Sequence, residues 1–352
     1  MEFQLCTGFE DLRRLFSHSP TRKQSLFASL EWFELLARFA TPDPASVVLP
    51  TVIGPGPDCV CLPMIRTADG LASLSNFYSG LFGPIESGVD DTSFRQHAIA
   101  ELCHRLRDWN PHPARINIFP LDTDAPFFAH LRDGLLATGY LTDSYFCFGN
   151  WYLPCDGFGF STYFEQRPSR VRNTVKRARN KLDRAGDWQA RVLTGSGPAL
   201  ELAIDDFERI YRLSWKPEET YPQFIRELCR LAVAQGWLRL GILSLNGAAI
   251  ASQIWLVENQ KAMIFKLSYD PDAANLSPGS VLTATLMEHV LDQDRVTEID
   301  YLSGDDAYKQ EWMTHRRERH GIVAFDLRTI RGFSGALRHQ GGLLWRRIRS
   351  RR

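Results

Sequence analysis

The alternation of apolar and polar positions is clearest between residues 237 and 269. WLRLGILSL at 237–245 and AAIASQIWLV at 248–257 are strand-like runs joined by Asn246-Gly247, a pair that tolerates positive φ at both turn positions. Glu258-Asn259-Gln260 makes a second turn and KAMIFKLSY at 261–269 a third run, so the pattern predicts an antiparallel meander. A loop from Asp270 leads to Ser277, expected as an N-cap, and to Pro278, suited to a first helical position. Val281, Leu282, Thr285, Leu286, His289 and Val290 then share one face of a helix running from Gly279 to about Gln293. VTEIDYL at 296–302 reads as a further strand, followed by the polar loop Ser303-Gly304-Asp305-Asp306 and by 307–312 (AYKQEW).

Upstream, Leu30, Phe33, Leu36 and Ala37 mark a helical face within 27–39. Residues 46–49 and 58–65 predict strands flanking the turn signal Gly-Pro-Gly-Pro at 54–57. A helix over 94–109, a strand over 115–119 and a helix over 126–138 follow. The natural division falls near residue 155, giving an N-terminal domain over 1–155, a C-terminal domain over 156–325 and a basic tail over 326–352.

Charge changes the picture in two places only. Lys+Arg and Asp+Glu are both 41, so the net charge is zero and a protein devoted to coating nucleic acid is excluded; no stable nucleic acid complex is expected. Residues 167–184 (RPSRVRNTVKRARNKLDR) nevertheless carry eight basic residues and one acid, with Val171, Val175, Ala178 and Leu182 at helical spacing. The basic face is either plain solvated surface or the seat of an anionic ligand. The tail from Arg328 holds eight arginines and no acid, with Leu337, Leu343, Leu344, Trp345 and Ile348 as its apolar component. It reads as a helix docked on the body, or as a peripheral contact with an anionic membrane face.

Seven cysteines at irregular spacing, with no CxxC, predict free thiols in a reducing compartment and no metal. His315 and His320 are five apart, a poor ligand spacing, and no HExxH, P-loop or nucleophile elbow occurs. The N-terminus lacks an apolar leader, and the apolar stretch 241–257 is too short and too polar to span a bilayer, so a soluble cytoplasmic protein is expected.

The order meander, loop, small-residue helix start, strand places an anion-binding helix N-terminus beside a sheet. With SLEWF at 29–33, RPSRVRNTVKRARNKL at 167–182, Ser214-Trp215-Lys216, the hairpin at 236–257, FKLSYDP at 265–271, SPGSVL at 277–282 and EIDYLSGDDAYKQEW at 298–312, the chain resembles the GNAT-superfamily acyltransferases of the CelD type, relatives of the Fem-type peptidyl transferases. The resemblance implies an α/β (α+β) fold of tandem GNAT-like domains, each a mixed, largely antiparallel sheet flanked by helices. It implies N-acyl transfer from acyl-CoA to an amine of a sugar or small amino compound, in polysaccharide, envelope or secondary-metabolite synthesis. The alternatives are a Fem-type transferase using aminoacyl-tRNA and a non-catalytic GNAT-like scaffold. The usual phosphate signature Q/R-x-x-G-x-G/A is replaced by Ser277, Pro278, Gly279, Ser280, Val281 and Leu282, which take the cofactor-binding role by position.

The chemistry states its own needs. A protonated amine must lose a proton before attacking an acyl ester, so a base belongs near it. The oxyanion needs N–H donors, which a splayed strand at 261–269 can supply. Asp300 or Asp305 is the expected base or amine-orienting carboxylate, Tyr308 the acid, and Lys309 and Lys266 the cations for phosphate or carboxylate groups. Trp215, Lys216 and Tyr269 are expected to line the acceptor pocket. Against this stand plainer readings: Asp305-Asp306 as a turn, and Trp215 as core.

Overall fold

The computed structural model describes residues 1–16, 25–88 and 92–349, the last seven as backbone alone. The side chains of Leu343, Leu344, Trp345 and Ile348 therefore lie outside the described residues. Two units form: Met1–Phe148 with Glu318–Arg352, and Gly149–Arg317.

The first unit opens with β1 (Glu2–Cys6), α1 (Phe9–Phe16) and α2 (Leu30–Phe39). Ser29 caps α2 by accepting from Trp32 N at 3.2 Å, and the helix buries Trp32, Phe33 and Leu36. Then come β2 (Val47–Ile53), β3 (Cys59–Cys61), β4 (Met64–Thr67), β5 (Gly70–Ser73) and β6 (Ile85–Ser87). The single strand expected over 58–65 is broken at Leu62-Pro63, because Pro63 has no N–H for a ladder. Next are α3 (Thr92–Arg107), β7 (Arg115–Asp122), α4 (Pro126–Ala137) and β8 (Leu141–Pro154), within which the chain enters the second unit.

There, α5 (Phe160–Glu165) and α6 (Ser169–Ala185) precede β9 (Trp188–Leu193), α7 (Pro198–Leu213) and α8 (Pro222–Ala234). The meander appears where the pattern put it, as β10 (Leu238–Leu245), β11 (Ala248–Glu258) and β12 (Lys261–Tyr269). Asn246 and Gly247 turn it at φ 50° and 81°. α9 (Pro278–Glu288) ends in a π turn over His289–Gln293, and β13 (Glu298–Asp300) and α10 (Ala307–Trp312) follow. The sheet order is β8-β13-β12-β11-β10-β9. Val171, Val175 and Leu182 of α6 and Val281 and Leu286 of α9 pack with Ala251 and Trp255. Strand alternation turns Ser252, Ile254 and Lys266 to the opposite face, on which α7 packs.

The chain returns to the first unit within β14 (His315–Phe325), which pairs antiparallel with β7 and completes the order β6-β3-β2-β4-β5-β7-β14, with β1 on β2. α11 (Ile330–Arg349) follows, its Ala336 buried against Val323 and Phe325. The linear division at 155 and 325 thus differs from the structure: the crossings fall at 148/149 and 317/318, and the segment after 326 joins the first unit. Residues 115–118 explain it, since they pair with residues 322–325, more than 200 positions further along the chain. All seven cysteines are free, six of them buried.

Candidate functional site

The second unit holds a wedge in its sheet. β13 pairs in parallel with β12 only at Lys261↔Glu298, Ala262↔Ile299 and Met263↔Asp300, yet β12 runs on to Tyr269. A register shift between Ile254 and Trp255 leaves Phe265 as an extra residue, a bulge at the mouth of the wedge. The phase of the ladder can be read from Asp270 N, which donates to Ile250 O at 2.9 Å. Bonds to β11 then fall at Ser268 and Lys266, and the N–H and C=O of Leu267 point to the open side. Leu267 O accordingly accepts from Lys216 Nζ at 2.5 Å. The Leu267 N–H, on the same side, is the kind of fixed donor that a developing oxyanion requires.

The start of α9 lies beside Tyr269. Gly279 permits this: a Cβ there would stand 3.3 Å from the Tyr269 ring. Its carbonyl accepts from Gln253 Nε2 at 3.1 Å, the same amide donates to Thr283 Oγ1 at 2.8 Å, and Trp255 Nε1 donates to Gln253 Oε1 at 2.9 Å, so the helix start is tied to β11. Ser277 occupies the cap position but at φ 51°, ψ 47°, and its side chain makes no capping bond; the left-handed turn enforced by the preceding loop wins over the side-chain preference. Of the six residues expected to meet a cofactor, Pro278, Val281 and Leu282 are buried in the core, and Ser277, Gly279 and Ser280 remain half-buried at the helix mouth. α6 packs along α9, and Lys181 Nζ donates to Asn275 O in the loop before it at 2.7 Å. Arg170, Arg172, Lys176, Arg177, Lys181 and Arg184 of α6 are exposed, as the helical spacing predicts.

The loop between α7 and α8 brings Trp215, Lys216 and Glu219 to the wedge. Trp215 is 59% exposed and lies 4.7 Å from the Tyr269 ring, centroid to centroid. It is therefore surface rather than core. Lys266 pairs with Glu219 and stands 4.8 Å over the Tyr211 ring. Lys216 Nζ lies over the rings of Tyr211 (5.6 Å) and Trp215 (5.9 Å). Burial, reinforced by Lys266 and Lys309, lowers the Lys216 pKa to about 8. Lys309 is buried, donating to Ser303 O at 2.5 Å with Asp306 at 3.4 Å, and burial lowers its pKa too. Tyr308 is 42% exposed, edge-on to Tyr301, and its phenol is pushed up by desolvation with Asp306 adding to it, so it stays protonated at neutral pH.

The two aspartates are held differently. Asp300 is buried, with Lys261 Nζ and Arg317 Nη2 each 2.6 Å from Oδ2. Asn150 Nδ2 (2.5 Å) and Leu302 N (2.7 Å) donate to Oδ1. Although burial pushes the other way, Lys261, Arg317 and the hydrogen bonds bring its pKa down to about 2. Asp305 is at the surface, accepting from Arg316 Nη2 and Trp151 Nε1, each at 2.7 Å, and the Arg316 bonds hold its carboxyl below the usual range. Both carboxylates are already spoken for by cations, so each is placed to hold neighbouring strands rather than to take a proton. Sequence reasoning did not single out Asn150, Glu219, Lys261, Arg316 or Arg317. The all-polar run 315–319 (HRRER) carries no alternation, and Asn150 meets Asp300 across 150 positions, so neither leaves a local signal.

Among the described residues no group of His, Cys, Asp or Glu is arranged to hold a metal, and no helix is long and apolar enough to cross a membrane. The first unit has a cavity of about 580 Å³ beside α11, lined in part by Arg115, Tyr145, Phe325 and Arg338; it contains none of the residues predicted from the sequence.

Residues 169–310 match the family model of an acetyltransferase (GNAT) domain. No curated protein matches the chain. Among solved structures, FemX is similar over 92% of this chain and 97% of its own, with a TM-score of 0.60 at 10% identity. L-PGS from Bacillus licheniformis is similar over 97% of each chain, with a TM-score of 0.55 at 11% identity. At such identities the likeness is one of fold, and it extends over both units.

Proposed function

We propose that this chain, in which residues 169–310 form a GNAT acetyltransferase-type domain, is an N-acyltransferase that carries an acyl group from an activated ester to an amine. The observation that carries the reading is the wedge: a strand edge beyond the three pairs with β13, with the Leu267 N–H directed into it, flanked by Lys216, Lys266 and Lys309. The ester carbonyl would rest on that N–H, the carrier's phosphates at the mouth of α9, and the amine between Trp215 and Tyr269.

Two donors fit. Acyl-CoA is the donor suggested by the domain match, with an amino sugar or small amine as acceptor. Aminoacyl-tRNA is favoured by a separate observation: the exposed cations of α6 run from Arg170 to Arg184, about 21 Å at helical rise, beyond what the few phosphates of CoA would occupy. FemX and L-PGS, the folds this chain shares, are consistent with either. On both readings the protein would work in the cytoplasm, with exposed Arg331 and Arg338 of α11 as a contact for an anionic membrane face.

Thermal unfolding against CoA, acetyl-CoA, longer acyl-CoAs and charged and uncharged tRNA separates the donors. A ligand at a hundred times its dissociation constant adds about 2.7 kcal/mol of stability. A shift that depends on the acyl group of CoA selects the first donor. A shift with charged tRNA, and RNase-sensitive turnover, selects the second. No shift with any of them overturns the proposal and leaves a non-catalytic scaffold.

A further inference from the structure

The acyl-transfer reading leaves its proton unassigned. Attack of an amine on an ester carbonyl forms the C–N bond and places a positive charge on nitrogen; a base must take that proton, and the leaving sulfur or oxygen must receive one. The carboxylates near the wedge do not serve. Asp300 has its two oxygens on Lys261, Arg317, Asn150 and Leu302 N. Asp305 is bound to Arg316 and Trp151, and Glu219 to Lys266.

We propose that Lys216 is the general base of the reaction, acting as a neutral amine at the open edge of β12. Its position makes the case, and the assignment rests on the acyl-transfer reading above. Nζ sits on Leu267 O, the carbonyl of the same residue whose N–H faces the wedge, so the base and the oxyanion donor belong to one peptide edge. A neutral amine keeps a lone pair while still donating one N–H to Leu267 O.

The surroundings oppose a charge there. Burial comes first, and Lys266 on β12 and Lys309 on α10 lie close enough to disfavour another cation. The faces of the Tyr211 and Trp215 rings favour the charged form and oppose this in part. Glu219 in the α7–α8 loop and Asp306 before α10 act in the opposite sense, but Glu219 is paired to Lys266 and Asp306 lies 3.4 Å from Lys309. Among the described residues no carboxylate pairs with Lys216. The balance of burial and neighbouring cations over anions brings its pKa to about 8, within reach of neutral operation. The cycle closes within the site: the amine nitrogen bonds to the carbonyl carbon, its proton passes to Nζ, the C–S or C–O bond breaks, and Nζ returns the proton to the leaving group.

The test has two arms on the full chain. In the first, lysine labelled at Cε is titrated by NMR without any ligand. One resonance is expected to titrate near pH 8 and to vanish in Lys216→Arg; a Lys216 resonance that titrates with the ordinary lysines overturns the proposal. In the second, turnover is followed with acetyl-CoA and with charged tRNA as donors and hydroxylamine as the acceptor probe. Lys216→Arg fixes the cationic form and removes the titration, so kcat is expected to fall 10²–10⁴-fold with little change in donor KM, and the rise of rate with pH through about 8 to disappear. Retention of kcat and of the pH limb in Lys216→Arg assigns a charge role instead and overturns the proposal. If the unaltered protein turns over neither donor, the acyl-transfer reading itself fails and the base with it, while the titration arm still reports the lysine on its own.

Discussion

The two units follow one plan and differ at one edge. In each, a strand and two helices lead to antiparallel strands, then a helix, then a strand that pairs in parallel: β5 with β7 in the first, β12 with β13 in the second. In each, the parallel pairing lasts three residues, from Gly70↔Arg115 to Ala72↔Asn117 and from Lys261↔Glu298 to Met263↔Asp300. Beyond it the first unit is stitched shut. The Ser73 hydroxyl donates to Phe119 O (2.9 Å) and accepts from Phe119 N (3.0 Å), Ser75 Oγ donates to the same carbonyl (2.5 Å), and Phe82 N donates to Pro120 O (2.6 Å). In the second unit the pairing of β12 with β13 ends at Met263, and Lys216 with Lys266 and Lys309 near it stands at the edge beyond, on Leu267 O. The same short parallel pairing is thus present twice, and on the proposed reading its use for an ester turns on whether the backbone groups past the third pair are consumed.

The largest way to break that contrast is to remove the freed donor. Leu267→Pro deletes an N–H that points away from β11, so the ladder should survive, and turnover should drop about 10²–10³-fold with unchanged circular dichroism. Leu267→Ala, which keeps the N–H, should retain turnover; equal losses in both would remove the donor from the account. Next in size is the anchor of the wedge. Asp300→Asn strips the charge from between Lys261 and Arg317, and equilibrium urea unfolding should show a loss of about 3 kcal/mol.

Acid should reproduce part of this in the unaltered protein. The folded pKa of Asp300, about 2, lies below its ordinary 3.8, so its contribution is whole above pH 4 and lost as pH falls toward 2. That loss should be about 2 kcal/mol and should be absent from Asp300→Asn. The stitch in the other unit gives the smallest effect: Ser73→Ala takes the partner of Phe119 N while Phe119 O keeps Ser75 Oγ, for a loss of about 1–2 kcal/mol in unfolding and none in turnover. A fall in turnover would mean that the closed edge also serves the reaction.

What was legible in the sequence follows from distance along the chain. Asn246-Gly247 and the apolar runs around it are local signals, and β10, β11 and β12 lie within a residue of where they place them. The buried face of α6 is likewise local. The identity of the lysines and aromatics near the wedge was also readable, because the family-like segments carry them. Their division of labour was not. Asp300 looks like a base in sequence and is a clamped anion in the fold, since the groups that clamp it come from positions 150, 261 and 317. Lys216 looks like a binding cation, and burial, with Lys266 and Lys309 brought near by the fold, lowers its pKa. The second crossing between the units fails for the same reason, β14 and β7 being paired across 200 residues.

The order in which residues leave a ribosome gives the divided first unit a further meaning. Residues 149–317 are contiguous, so the second unit has all its strands once position 317 has emerged. The first unit begins earlier yet waits for β14 and α11, the last elements made. Nascent chains halted before 318 should therefore carry a folded second unit beside a first unit that still lacks a strand, and this newly made sheet edge, rather than the wedge, is where a chaperone would be needed.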